Sequence, residues 1–399
     1  QRKPLENEVL NSTYPFRENI KFSMKSKIDY CKELNPAQLE AVYSTEGPFL
    51  VIAGAGSGKT RVLVYRVAYL VEKNVQPEDI LLLTFTRRAA EEMLRRSSLL
   101  LDDRCQKVSG GTFHSFANSI LRKYAKFLGI SNNFTILDRA DSEDIVNFIR
   151  TEGGFHKSKL RFPRKKAIMD LISKCVNKSQ GLKDVLHEEY PQFIEWTDAI
   201  KKISGEYAKY KVSKSLLDYD DLLIYLRDLL VKYDDIRIRL SGKYKYIMVD
   251  EYQDTNRLQA HISYLLASES QNIMVVGDDS QSIYSFRGAN FKNIIDFPKI
   301  FKDAKIITLE ENYRSRQPIL NLTNEVISFA QESFSKKLYT NKGGDNLPVF
   351  VDARDENGQS KYVADKILEL REEGVELGNI AVLFRAAWHS NDLEIELAS

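Results

Sequence analysis

Residues 49–60 read FLVIAGAGSGKT: five apolar residues, a glycine-rich turn, then Lys-Thr at the head of an amphipathic stretch. A short apolar run bounded by turn residues is a buried strand, and the periodicity of residues 60–72 predicts a helix after it. Gly54, Gly56 and Gly58 let the backbone between the two turn its N–H groups inward around phosphate oxygens, with the helix N-terminus adding its dipole. On this reading Ala53, Gly54, Ala55, Gly56, Ser57 and Gly58 cradle the phosphates of ATP, Lys59 reaches the β- and γ-phosphates, and Thr60 ligates Mg²⁺. The strict pattern places a glycine where Ala53 stands, so the loop is relaxed by one methyl group. The competing reading, a glycine-rich turn with a chance Gly-Lys-Thr, has no need of the strand and helix on either side.

Working outward, similar apolar runs occur at 80–85, 246–249, 273–276, 306–309 and 380–384. Longer helical patterns such as 60–72 and 88–100 lie between most of them, which predicts an α/β fold with a mainly parallel sheet and functional residues at strand ends. From about 116 to 215 the strand signal gives way to helical periodicity with charged faces, expected to be a helical insertion. Residues 341–348, NKGGDNLP, are a turn-rich connection before a last strand and helix.

The run YIMV is followed by Asp250 and Glu251 in VDEYQDTN. Two carboxylates at a strand end can divide the work, Asp250 holding the Mg²⁺ shell and Glu251 orienting or deprotonating an attacking water. An Asp-Glu pair alone is as easily a solvated turn; a phosphate loop in the same chain changes that. The next strand ends in GDDSQSIYSFRGAN and the one after in LEENYRS, so three successive strands deliver polar motifs to one edge.

Six segments then stand in a telling order: LNPAQLEAV, AGAGSGKTR, TFTRRAAEEM, GTFHSFA, DEYQDTN, and GDDSQSIYSFRGAN followed by ENYRS. The chain resembles the UvrD/Rep/PcrA-like superfamily 1 DNA helicases over about 34–385. The resemblance implies a RecA-like P-loop ATPase domain at 34–115 and 216–309, the helical insertion at 116–215, and the beginning of a second RecA-like domain at 310–399. It implies a DNA-dependent ATPase using ATP and Mg²⁺, moving 3′ to 5′ on single-stranded DNA and at single-strand/duplex junctions, in DNA repair or replication and with proteins of those processes. It assigns Gln38 to reading adenine, Arg61 and Tyr313 to enclosing the base, Gln281 to sensing the γ-phosphate, and Arg314 to neutralising it during transfer, as an arginine aimed at a transferring phosphoryl group does. No segment like the family's remaining motifs follows ENYRS, so the expectation is a chain cut within its second domain, binding nucleotide weakly and not unwinding. Two alternatives stay open: the motor part of a RecB/AddA-like nuclease-helicase, and a non-motor ATP-gated DNA-binding protein.

Single-stranded DNA is held by aromatic platforms and by basic groups that follow its phosphates. The candidates are Phe85 in TFT, Phe113 and His114 in TFHS, and Tyr284, Phe286 and Arg287 in SIYSFRG; family members often carry Trp where Phe286 stands. The insertion also holds a basic run, Lys157, Lys159, Arg161, Arg164, Lys165, Lys166, Lys174, Lys178 and Lys183, that reads equally as a grip on duplex phosphates or as a solvated helix face. Bulk charge decides nothing, because 58 basic residues balance 56 acidic ones to a net +2. Cys31, Cys105 and Cys175 form no C-x-x-C pair and the histidines lack metal-ligand spacing, which argues against zinc and disulfides. No apolar run reaches the ~18 residues of a membrane span, and the leader, 1–33, reads as a flexible arm without a signal-peptide pattern, so the expected location is the cytoplasm.

Overall fold

Strands form at β1 (Phe49–Ala53), β2 (Ile80–Thr84), β3 (Ser109–Thr112), β4 (Thr135–Ile136), β5 (Leu216–Leu217), β6 (Tyr246–Val249), β7 (Ile273–Gly277) and β8 (Lys305–Leu309). The computed structural model describes residues 26–155, 162–285, 288–330 and 334–398. Six strands make one sheet in the order β3-β2-β6-β7-β1-β8, every pair of neighbours parallel. Five of them lie where apolar runs predict them. The sixth, β3, has the sequence SGGT, which carries no hydrophobic signal, and it sits on the edge, where only one neighbour, β2, must be satisfied.

By internal contacts the chain divides into two units, residues 1–344 and 345–399. In the first, the sheet is covered on both faces, as parallel sheets are. One face meets helices α1 (Tyr30–Glu33), α2 (Pro36–Tyr43), α3 (Lys59–Glu72) and α4 (Arg87–Leu100). Successive side chains of a strand alternate between faces: Phe49, Val51 and Ala53 of β1 point into this layer, whereas Leu50 and Ile52 point into the other. That second layer is built from α5 (Phe113–Tyr124) together with helices that follow the insertion. Cutting Leu50 or Ile52 back to alanine in such a core costs about 2–5 kcal/mol.

The insertion proper lies between β4 and β5, which pair in parallel at Thr135↔Leu216 and Ile136↔Leu217 and so bring its entry and exit together. Helices α6 (Arg139–Glu152), α7 (Lys165–Lys178), α8 (Leu182–Glu189) and α9 (Thr197–Ser213) surround a core of their own that includes Val146, Ile168, Leu186, Ile200 and Tyr207. The helical stretch from 116 onward therefore opens with a helix, α5, that packs under the sheet rather than within the insertion. In the basic run, Lys165 pairs with Asp144 at 2.5 Å, Lys174 with Glu189, and Lys178 with Glu189 at 2.5 Å, so three of these charges are answered inside the insertion. Lys157, Lys159 and Arg161 lie outside the described residues.

After β5 come α10 (Tyr219–Lys232), α11 (Asp234–Lys243), α12 (Arg257–Leu266), α13 (Lys292–Ile300) and α14 (Gln317–Ser328). The leader differs from the expectation of a flexible arm in its last eight residues. Ile28 and Tyr30 are buried, and Tyr30 Oη donates to Glu72 Oε2 at 3.0 Å, which ties this segment to α3; residues 1–25 lie outside the described residues.

The second unit holds α15 (Glu356–Glu372) and α16 (Asn391–Ala398). The strand expected at 380–384 is not formed, and Leu383 is 93% exposed. An apolar run becomes a strand only when a neighbour takes up its N–H and C=O groups, and among the described residues of this unit none lies in a strand. Among the described residues of the chain, no helix is long and apolar enough to cross a membrane.

Candidate active site

The phosphate loop leaves β1 at Ala53, whose Cα pairs with Leu309 of β8. Ala53 is a regular, fully buried strand residue, so its methyl group packs in the core and the missing glycine costs the loop nothing. The demanding positions lie further on. Gly56 and Gly58 have φ of +79° and +92°, the left-handed region, and both are also approached closely. A Cβ at Gly56 would stand 2.7 Å from Arg314 Cβ, and one at Gly58 would stand 2.6 Å from Gln38 Nε2.

Those contacts show what grips the loop. Gln38 Nε2 donates to Ser57 O at 3.0 Å, Ser57 Oγ donates to Gly54 O at 2.8 Å, Asn312 Nδ2 donates to Ala55 O at 2.5 Å, and Tyr313 N donates to Gly56 O at 2.9 Å. With four successive carbonyls engaged, the polar groups the loop has left to offer are chiefly N–H donors, next to the N-terminus of α3. Asn312 was not singled out in the sequence, although it lies inside ENYRS. Its side chain also accepts from Arg314 N at 2.8 Å and Ser315 N at 2.7 Å, so it fastens the stretch bearing Tyr313 and Arg314 onto the loop.

Lys59 opens α3, and its Nζ stands 3.0 Å from Glu251 Oε2. Glu251 follows β6 with φ +49° and ψ +47°, a left-handed conformation that costs a residue with a side chain roughly 1–2 kcal/mol. Such strain persists where the surroundings over-determine it, often at reactive sites. Asp250 beside it is buried, its Oδ1 has no hydrogen-bond partner, and burial, reinforced by the Glu251 charge, pushes its carboxyl up to about 7. Asp254 Oδ1 is likewise buried without a partner, and burial and then Glu251 push that carboxyl up to about 6. Unpaired buried carboxylate oxygens beside a phosphate loop fit a hard divalent cation: Mg²⁺ takes one or two carboxylates and completes its shell with phosphate oxygens and water. Asp250 and the Thr60 hydroxyl are a donor set of that kind.

A chain of hydrogen bonds leads away from Glu251. Gln253 Nε2 donates to Glu251 Oε2 at 2.7 Å, Asp278 N donates to Gln253 Oε1 at 3.0 Å, and Gln281 Nε2 donates to Asp278 Oδ2 at 2.5 Å. Gln281 is thereby linked to the carboxylate pair through Gln253, which sequence reasoning passed over although it lies within DEYQDTN.

Beside the loop, Asn35 and Gln38 form a reciprocal capping box at the start of α2, and Asn35 Nδ2 donates to Tyr313 Oη at 2.9 Å. Arg61 pairs with Glu33 Oε2 at 2.8 Å and also donates to Glu33 O, and its guanidinium lies 4.9 Å from the Tyr65 ring. The structure thus gathers Gln38, Arg61 and Tyr313 around one end of the phosphate loop and Arg314 over its middle. Arg314 itself is exposed.

On the other side of the carboxylates lies a groove of about 370 Å³ whose lining includes Thr84, Phe85, His114, Asp250, Glu251 and Tyr284. Phe85 is 42% exposed, and its ring lies 5.0 Å from that of Tyr284 at an interplanar angle of 30°, a tilted pair at the mouth. Phe113 corrects the expectation of a stacking platform. It reaches the groove wall but is 4% exposed within the core under the sheet, which leaves no open face for a base. Burial holds the His114 imidazole below its ordinary range, and the ring packs edge-on against Tyr219 at 5.8 Å. Phe286 and Arg287 lie outside the described residues.

The family profile of the UvrD/REP helicase N-terminal domain matches residues 34–302, and that of the UvrD-like helicase C-terminal domain matches residues 307–399. The ATP-dependent DNA helicase PcrA of Staphylococcus epidermidis (strain ATCC 35984) is 38% identical over 365 residues, 91% of this chain and 49% of the relative. PcrA of Staphylococcus aureus (strain Mu50) is 37% identical over 363 residues, 90% of this chain and 49% of the relative. The chain spans about half the length of these curated relatives.

Proposed function

This chain belongs to the UvrD/REP helicase family, and we propose that it serves as an ATP-driven motor element that hydrolyses ATP while engaged with single-stranded DNA. The observation that carries this reading is the position of Glu251. One of its oxygens meets the phosphate-loop lysine, the same oxygen is tied through Gln253 toward Gln281, and its strained backbone stands at the edge of the aromatic groove.

In this reading the phosphate-loop N–H groups and Lys59 bind the β- and γ-phosphates, Glu251 orients and deprotonates the attacking water, and Gln281 registers the γ-phosphate. Asp250 and Thr60 would hold Mg²⁺, which supplies charge neutralisation to the phosphates when bound. Arg314, over Gly56, stabilises the charge of the transferring group. Gln38, Arg61 and Tyr313 enclose the adenine, with Arg61 exchanging part of its contact with Glu33 for the base. Phe85 and Tyr284 offer ring faces to bases, helped by Phe286 and Arg287, and His114 lines the strand's path as a neutral ring. Movement 3′ to 5′, action at single-strand/duplex junctions, service in repair or replication alongside proteins of those processes, and a cytoplasmic location complete the proposal.

Two measurements test it: steady-state ATP hydrolysis with and without oligo-dT, and oligo-dT affinity across a salt series. Stimulation by oligo-dT is expected, with affinity falling steeply as salt rises. Phe85→Ala should weaken affinity by about 1–3 kcal/mol, the worth of one stacked base, without altering the salt slope. A hydrolysis rate indifferent to DNA would remove the motor reading.

A further inference from the structure

The buried lysine Lys336 lies outside every motif used above. Its ammonium stands 2.6 Å from Asp278 Oδ1 and 2.5 Å from Asp279 Oδ1, with the three side chains only 4%, 3% and 2% exposed. A second bond fixes the same place, since Phe334 N donates to Asp279 Oδ2 at 3.1 Å. Asp278 is the carboxylate that orients Gln281. Its Oδ2 accepts from Gln281 Nε2, while its Oδ1 faces Lys336 and accepts from Ser280 N at 3.0 Å. Lys336 therefore sets the plane of the carboxylate that presents Gln281.

The segment carrying Lys336 also reaches the phosphate loop. Leu338 packs against Gly54 so closely that a Cβ there would stand 2.6 Å from Leu338 Cδ2. Tyr339 O accepts from Asn312 N at 2.7 Å, Tyr339 N donates to Glu310 O at 3.1 Å, and Thr340 Oγ1 donates to Asn312 O at 2.7 Å. Residues 334–340 thus touch the strand end that runs on toward Tyr284 in the groove, the phosphate loop, and the Asn312 clamp on that loop.

We propose that Lys336 is a positioning residue that couples nucleotide binding to DNA binding, by locking the Asp278–Asp279–Gln281 corner to the segment that packs on the phosphate loop. The proposal rests on the reading above of Gln281 and the aromatic groove. A buried ammonium shared by two carboxylates has few alternative arrangements, because any displacement leaves a charge unpaired. Motion at the phosphate loop is therefore passed to the 278–285 stretch as a whole rather than absorbed, and coupling of this kind is reciprocal between the two ligands.

The test uses the full chain with a fluorescent non-hydrolysable ATP analogue plus Mg²⁺ and a labelled oligo-dT strand, each titrated with and without the other. In the wild type, oligo-dT should tighten analogue binding by roughly 5-fold or more, and the analogue should tighten oligo-dT equally. In Lys336→Met that factor should fall to about 1, while each ligand alone binds within about 3-fold of wild type. Lys336→Arg, which keeps the charge, should recover most of the coupling. Should Lys336→Met fold poorly, Lys336→Met with Asp279→Asn removes one charge of each sign, keeps the cluster's net charge, and should show the same loss. Both ligands binding with coupling intact in these variants would overturn the proposal alone. Affinities for both ligands falling together, with no rescue by arginine, would make Lys336 a strut and overturn it as well. A wild-type chain that binds neither ligand would overturn the functional reading and this inference with it.

Discussion

Lys59 and Lys211 each stand beside buried carboxylates, and the differences between their surroundings separate a reactive corner from a structural joint. Lys211, near the end of α9, lies 2.6 Å from both Asp218 Oδ2 and Asp221 Oδ2. Tyr207 Oη donates to Asp218 at 2.9 Å, and Asp218 and Asp221 form a reciprocal capping box at the start of α10. Asp218 itself is extended, with φ −92°, and the left-handed residue of this joint is Ser215, in the turn between Lys211 and Asp218, rather than either carboxylate. At Lys59 the carboxylate that takes the ammonium sits in a strained left-handed conformation, and the neighbouring Asp250 and Asp254 each keep a buried oxygen without a partner. One cluster closes on itself at the base of the insertion, whereas the other is left with valences that a cation and a phosphate can fill.

The sharpest way to break this comparison is to neutralise the reactive corner. Glu251→Gln should keep nucleotide affinity and lower the single-turnover rate of ATP hydrolysis by about 10²–10⁴-fold, the contribution of a positioned general base. Lys59→Ala should instead abolish measurable nucleotide binding. Equal loss of binding in both variants would mean that Glu251 holds the lysine and does nothing to water.

The joint should fail in the opposite way. Lys211→Met leaves two buried carboxylates without their counter-charge and should cost about 3 kcal/mol of folding stability, read by urea denaturation. Nucleotide affinity and hydrolysis per folded molecule should change little, since Lys211, Asp218 and Asp221 neither meet the phosphate loop nor line the groove, although the neighbouring Asp220 does line it. A fall in hydrolysis without a fall in stability would show that the insertion's base is wired to the chemistry.

The same contrast explains what the sequence could disclose. Motif residues whose chemistry is local were legible: a glycine-rich turn between a strand and a helix can be read from FLVIAGAGSGKT alone, and the structure agrees at Gly56 and Gly58. Four sheet strands were legible because strands inside a covered parallel sheet are nearly continuous apolar runs, and edge strand β8 was legible from its run of residues 306–309 although Lys305 and Ile306 are exposed. β3 was not, because SGGT is defined by its neighbour and not by its own composition. The expected strand at 380–384 failed for the converse reason, having apolar composition without a neighbour among the described residues of its unit. Asn312, Gln253 and Lys336 were missed because their importance lies in what they bridge. Lys336 meets Asp278 and Asp279 across more than fifty positions of chain, and nothing in KKLYT announces a buried ammonium. Phe113 was misjudged because an aromatic next to a histidine looks alike whether it faces the groove or the core.

The smallest expected effect concerns the joint's response to pH. Burial, reinforced by the nearby Asp218 charge, pushes the Asp221 carboxyl up to about 6 in the folded protein, against 3.8 ordinarily. The native state then binds more protons than the unfolded chain between those two values, so this group's contribution to stability is fully present below about pH 4 and is lost as the pH rises through 6. Asp221→Asn is neutral at every pH and has no such loss, although it weakens the contact with Lys211. Its melting temperature relative to wild type should therefore be more favourable at pH 7.5 than at pH 4.5, by roughly 2–4 °C if about 1 kcal/mol is at stake. Calorimetry of both proteins at the two pH values measures that difference; groups remote from the joint cancel between them, so the difference reports the Lys211–Asp218–Asp221 cluster as a whole. An offset identical at both pH values would mean that Lys211 holds the Asp221 carboxylate ionised throughout, and the joint would then be a closed ion-pair cluster with no pH-dependent part, still unlike the corner at Lys59, where Asp250 and Asp254 keep oxygens without partners.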